Sequence, residues 1–269
     1  MVGGAGAGNP PQADVTVSFK ANSAVPAEKA GTVGLAGNAT AGLFKTAGIF
    51  RKNPDGTFTV QDSLGAMITL SAIEVKVQEI DIGLPSGITC AGVVGLYCKG
   101  GDAAVRGPYA MNLMSGAATP SINFIKLPEG IYSSIGLDFL QPAFGPDSAL
   151  IPGSSRYNMA IRGRVAAPDS ASSSFELKLD LSDGLDFQDT AGFRIESTAL
   201  NNLLLKLDVD GWFAGTDFSS CLNQAKAIAD SAGTIVLEGD GSCDGLGLRI
   251  RKNIEASSEV ENEEHIGGL

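Results

Sequence analysis

The chain has 269 residues, with 19 Lys and Arg against 30 Asp and Glu, for a net charge of −11. That balance excludes a nucleic-acid binder, which needs a basic surface, and an electrostatic hold on anionic lipid. With 43% apolar residues the chain can bury a real core, which excludes wholesale disorder and suits one large all-β domain.

Residues 1–12 read as a tether, rich in glycine and uncharged through Pro11. The start has neither the basic stretch nor the apolar stretch of a signal peptide. Mature bacterial lipoproteins carry a tether of this composition directly after the lipidated cysteine, so a lipid anchor upstream is expected. No apolar run reaches the ~18 residues of a membrane helix. The longest patch, Ile88 to Tyr97, is about half that and ends beside a cysteine.

The first strand is expected at Ala13 to Phe19, where Val15, Val17 and Phe19 alternate with polar residues. Residues 21–48 carry no strong period and read as loops with short strands. Gly48 to Val60 reads as strand, turn, strand, with Asn53, Pro54, Asp55 and Gly56 as the turn. Ala66 to Ile82 is the clearest long strand. Ile73, Val75 and Val77 share one phase, and Ile80 and Ile82 the other, so an inserted residue implies a β-bulge or bend near Gln78.

Residues 83–108 read as a loop-rich insertion. Further strands are expected at Tyr109 to Met114, at Asn123 to Leu127, and at Ile131 to Leu140 with Ile131, Ser133, Ile135, Leu137 and Phe139 on one face. Others are expected at Arg156 to Val165, Phe175 to Leu181, Arg194 to Ser197, and Leu203 to Val209. Asp217 to Ala229 has a helical pattern, capped by Asp217 or Ser219. Leu246, Ile250 and Ile254 fall at spacing four and mark a second helix. The expected organisation is a tether over 1–12, an antiparallel β-sandwich with long loops over 13–215, a disulfide-linked helical appendix over 216–258, and an acidic mobile tail over 259–269.

Four cysteines allow three pairings. Locality favours Cys90 with Cys98 and Cys221 with Cys243. No Cys-x-x-Cys pair is present, so disulfides in an oxidising compartment are preferred over a thiolate metal site.

Several segments together resemble a known family. They are Ile68 to Val77, Tyr109 to Leu113, Ile125 to Leu137 with the motif Leu127-Pro128-Glu129-Gly130-Ile131-Tyr132, and Leu203 to Phe213. The chain resembles, over about residues 13–215, uncharacterised bacterial envelope lipoprotein domains of prealbumin-like β-sandwich type. The insertion with Cys90 and Cys98 and the tail after Trp212 depart from that pattern. The resemblance implies an envelope location and a non-enzymatic role, and it carries over no catalytic residue.

The residues themselves give no catalytic set. The single histidine, His265, sits in the acidic tail, so no base stands beside a serine or cysteine nucleophile. A glycan hydrolase would need paired carboxylates in an aromatic cleft, and Trp212 is the one tryptophan. Calcium is the more serious site expectation. Three oxygen-rich clusters qualify: Asp180, Asp183 and Asp186; Asp208, Asp210 and Asp217; and Glu238, Asp240 and Asp244. The plain reading, that Asp and Gly build turns, is the favoured one, and if calcium binds, Asp208, Asp210 and Asp217 are the preferred ligand set. Trp212 and Phe213 are either a plug under the appendix or a docking platform.

The expected function is therefore a non-catalytic envelope module that binds protein or glycan. The alternative is a calcium-stabilised adhesin or filament subunit, with Val15 to Phe19 as a donated strand.

Overall fold

The computed structural model describes residues 11–22, 51–90, 93, 95–122, 125–140, 157–166, 172–181, 184–199, 201–225, 229–240 and 243–262. Most of the tether, residues 23–50, Asp183 and His265 lie outside the described residues. The protein is mainly β.

In chain order the elements are β1 (Gln12–Asn22), β2 (Arg51–Lys52), β3 (Phe58–Gln61), β4 (Met67–Ile82), β5 (Tyr97–Lys99), β6 (Asp102–Asn112), β7 (Ala117–Thr119) and β8 (Ile125–Pro128). Next come β9 (Gly130–Phe139), β10 (Met159–Ala166), β11 (Ser173–Leu179), β12 (Leu185–Ile195) and β13 (Asn201–Asp208). A 3-10 turn (Val209–Gly211) leads to α1 (Phe218–Ala225), β14 (Ile235–Glu238), α2 (Leu246–Glu255) and β15 (Ser258–Asn262).

The strands make two sheets. The smaller has the order β15-β13-β1-β8. The larger runs β12-β9-β4-β10-β11-β14, with β2, β3, β5, β6 and β7 attached around β4. The period-2 alternation seen in the sequence places one phase of each strand in a single shared core. Val15, Val17 and Phe19 of β1 are buried in it, as are Phe175, Leu177, Leu179 and Leu181. These facing apolar layers make the β-sandwich.

β4 is the spine. Its first half pairs with β3 and β10, and its second half with β6 and β9. The expected bulge is present: register shifts between Val77 and Glu79 against both β6 and β9. Gln78 is the extra residue opposite β9, so Ile80 and Ile82 turn inward where plain alternation would place them outside. The expected turn at 53–56 also forms, closed by Asn53 and Thr57, with Gly56 at φ +84°.

Four expectations are corrected. The face predicted for β9 is out of phase at its start: Tyr132 is buried and Ile131 is 59% exposed. The partner strand β12 shifts register between Gln188 and Phe193, near Gly192 at φ +76°, and the pleat phase changes there. Residues 102–108, read as loop, are the first half of β6. The segment 216–258 is not purely helical, because β14 adds to β11 in parallel. Glu259 to Asn262, read as mobile tail, form β15 against β13.

β1 pairs with β13 in parallel and with β8 in antiparallel fashion, so it is an interior strand. An interior strand is a poor candidate for donation to another subunit.

Both helices form near their expected places. Leu246, Ile250 and Ile254 are the buried stripe of α2. For α1 the chain supplies a partner from a distant turn: the Ser219 N–H donates to Asp62 Oδ2 at 3.0 Å.

Candidate functional site

The outward phase of the large sheet carries the polar chemistry. The ladder registers line up Ala117 of β7, Asn112 of β6, Glu74 of β4, Ala160 of β10, Lys178 of β11 and Glu238 of β14 in one row. Six strands at ~4.8 Å spacing make this row about 24 Å long. Small side chains at Ala110, Ala117 and Ala160 leave the row low, and long charged side chains flank it. The result is a groove of about 580 Å³ across the strands. That volume falls in the range of ligand pockets.

The charges in the groove are paired along its length. Arg162 Nε donates to Glu176 Oε1 at 2.7 Å, and Arg162 Nη1 to Glu74 Oε2 at 3.0 Å. Lys178 Nζ donates to Glu238 Oε1 at 3.1 Å and lies 3.6 Å from Glu176. Glu176 holds the Arg162 guanidinium more firmly protonated than usual, with Glu74 adding to it. Burial pulls the Lys178 ammonium down, and Glu238 with Glu176 more than reverse this, so its pKa rises. Tyr157 borders one end, and its ring lies against Gly239.

The structural anchor of this face is Asn158, which is 2% exposed. Its side chain donates to Leu181 O at 3.1 Å and accepts from Leu181 N at 2.8 Å. Its carbonyl accepts from Lys76 N, joining β4 to the start of β10. The floor of the groove is thus held by buried hydrogen bonds.

Beyond the bulge the same outer face becomes acidic. Among the described residues, Glu79, Asp81 and Asp138 are the one carboxylate trio whose oxygens lie within 4.8 Å of each other. The Lys99 ammonium already sits among them, 2.8 Å from Glu79 and 2.9 Å from Asp81, and it also donates to Asp138. Those contacts, Asp138 first, raise the Lys99 pKa well above its usual range. Burial raises the Asp81 pKa, against the pull of Lys99 and with help from Glu79. Lysine is the cation of this cluster.

The preferred calcium set is corrected. Asp208, Asp210 and Asp217 do not converge on one point. Asp208 closes β13 and is 8% exposed, and its N–H donates to Ser257 O. Asp210 lies on the 3-10 turn. Asp217 accepts from Ser63 Oγ at 2.8 Å, on the β3–β4 turn. In the third cluster Glu238 pairs with Lys178, and Asp240 with Arg251 at 2.9 Å; the cluster that includes Asp183 falls partly outside the described residues.

Trp212 and Phe213 are fully buried, so they are the plug and not a docking platform. Trp212 Nε1 donates to Ser257 Oγ at 2.9 Å, and Phe213 meets Phe218 edge to face with centroids 5.0 Å apart. Both disulfides form as expected, Cys90–Cys98 and Cys221–Cys243, each with Cα atoms 5.6 Å apart.

Alternation along each strand puts Glu74, Lys76 and Arg162 on polar faces but does not join them to Lys178, Glu238 or Tyr157 as a site. The outward phase is the available signal, and strand order is the missing one. No protein-family model, curated protein or solved structure matches this chain.

Proposed function

We propose that this chain is a non-catalytic binding module of a bacterial cell envelope, and that the groove across the large sheet is its contact surface for protein or glycan. The observation that carries this reading is the six-strand row from Ala117 to Glu238, a long recess rigidly seated on paired strands. Arg162 bridges the two glutamates at its centre, which suits a passive surface better than an acid–base pair. Two disulfides fit an oxidising compartment. The likeness to prealbumin-like lipoprotein domains belongs to this reading. A calcium-stabilised adhesin or filament subunit has less support, because Lys99 fills the carboxylate trio and β1 is paired on both sides.

Amide NMR of the isotopically labelled chain tests the surface. Solubilised cell-wall glycan or envelope protein extract is titrated in, and shifts should cluster at residues 74, 112, 160, 178 and 238. Shifts confined to the opposite sheet, or none at all, would sink the proposal.

A further inference from the structure

We infer that the occupant of this groove is an uncharged oligosaccharide lying across the strands. The inference rests on the binding-module reading and narrows its ligand class. The first ground is charge. The groove holds Glu74, Glu176 and Glu238 against Lys76, Arg162 and Lys178, so it is neutral in a chain of net charge −11. A polyanion is repelled by the molecule as a whole and finds no basic patch there. A polycation is drawn instead to the acidic half of the same face, around Glu79, Asp81 and Asp138.

The second ground is hydrogen bonding. The glutamate and guanidinium or ammonium groups pair with one another and remain partly exposed, with 44% of the Arg162 side chain and 31% of the Lys178 side chain accessible. They offer alternating donors and acceptors, which match hydroxyl groups that both give and take hydrogen bonds. A lipid chain laid on them would desolvate the ion pairs without replacing their water contacts. An extended peptide laid across the central strands gains no ladder either, because β4, β10 and β11 are each paired on both sides, and along this row the backbone edges lie only at its two ends, β7 and β14.

The third ground is shape. The recess runs about 24 Å over the strands, which suits a short polymer rather than a monosaccharide. The ring of Tyr157 at one end offers an apolar face of the kind that sugar C–H groups stack upon.

The test uses the full chain in isothermal titration calorimetry. The probes are three neutral polysaccharides (laminarin, dextran and yeast mannan) and two charged ones (polygalacturonate and chitosan oligomers). At least one neutral probe should bind saturably, with an affinity nearly unchanged between about 50 and 500 mM salt, because no net charge is neutralised. Ala160→Arg, which fills the recess, and Ala117→Arg at its exposed end should each weaken binding at least about tenfold. Both variants should melt like the parent, and the second serves if the first does not fold.

Binding of only a charged probe, abolished by salt and by Ala117→Arg, would overturn the neutral-glycan inference while leaving the groove as the surface. Failure of all three neutral probes would also overturn it. If the groove amides in addition stay unmoved by envelope extracts, the binding-module reading falls as well.

Discussion

Asp62 shows how much one buried carboxylate can organise. It is 6% exposed, and it accepts N–H bonds from Leu64 at 3.0 Å, Ala66 at 2.9 Å and Ser219 at 3.0 Å. Two of those close the β3–β4 turn, and the third satisfies the first turn of α1. Asp62→Ala should therefore leave several donors without partners and cost roughly 3 kcal/mol in urea unfolding, read as a lower midpoint at unchanged slope. Lys99 is the other decisive residue, since it is the shared ion-pair partner of three carboxylates. Lys99→Met should lower the melting temperature by several degrees. Added calcium should recover part of that loss in the variant but leave the parent unmoved, because only the variant has an open oxygen cluster. Calcium stabilising both equally would show that the lysine is not the cation of the site. Burial holds the Asp81 pKa above its usual value. The folded state takes up this proton more readily than the unfolded state, so ionisation of Asp81 costs stability as pH rises from about 3.9 through the folded value. Asp81→Asn should match or exceed the parent melting temperature at pH 7, and the difference should close as pH falls toward 4.

At the scale of elements, the bulges of β4 decide what the outer face presents. Its register against β10 shifts between Arg162 and Gly163, opposite Ser71. Gly163 permits this close approach, because a Cβ there would stand 2.3 Å from Thr69 O and 3.0 Å from Phe175 Cζ. Gly163→Ala should cost about 2 kcal/mol or more through overpacking, measured by thermal melting, and a neutral result would mean that β10 can slide outward freely. The second bulge, at Gln78, has a functional consequence. It restores burial for Ile80 and Ile82 and turns Glu79 and Asp81 outward, so the neutral groove and the acidic cluster sit on one face. This bulge is legible in the sequence because the apolar phase changes visibly between Val77 and Ile80. The phase change at Tyr132 is not, since Ile131 and Tyr132 are both apolar in character and the alternation offers no choice between them.

Across the whole molecule, the C-terminal third ties both sheets together. β14 extends the large sheet and β15 the small one, with α1 and α2 between β13 and β15 along the chain. The Cys221–Cys243 disulfide joins α1 to the turn before α2, across 22 residues, whereas Cys90–Cys98 closes only 8. Each should contribute about 2–4 kcal/mol, and the longer loop should contribute more. Paired Cys→Ser replacement, read by melting temperature, should show that order, and the reverse order would mean that the 83–101 insertion carries the larger share of the stability.

The signals that can be read along the chain are local ones. The pleat has a period of two, so Val15 to Phe19 and Phe175 to Leu181 announce their buried phases without reference to any neighbour. The proline–glycine turn at 54–56 and the spacing-four stripe of α2 are equally short-range. The disulfides are legible for the same reason, since each joins cysteines close along the chain. Which strands lie side by side is a matter for the folded molecule alone, because it depends on which apolar faces bury together over long separations. Val15 pairs with Asn201, and Glu74 reaches Arg162, 88 residues away. The groove, the buried fate of Trp212 and the dispersal of Asp208, Asp210 and Asp217 all result from that order of strands, and no period within the sequence encodes it.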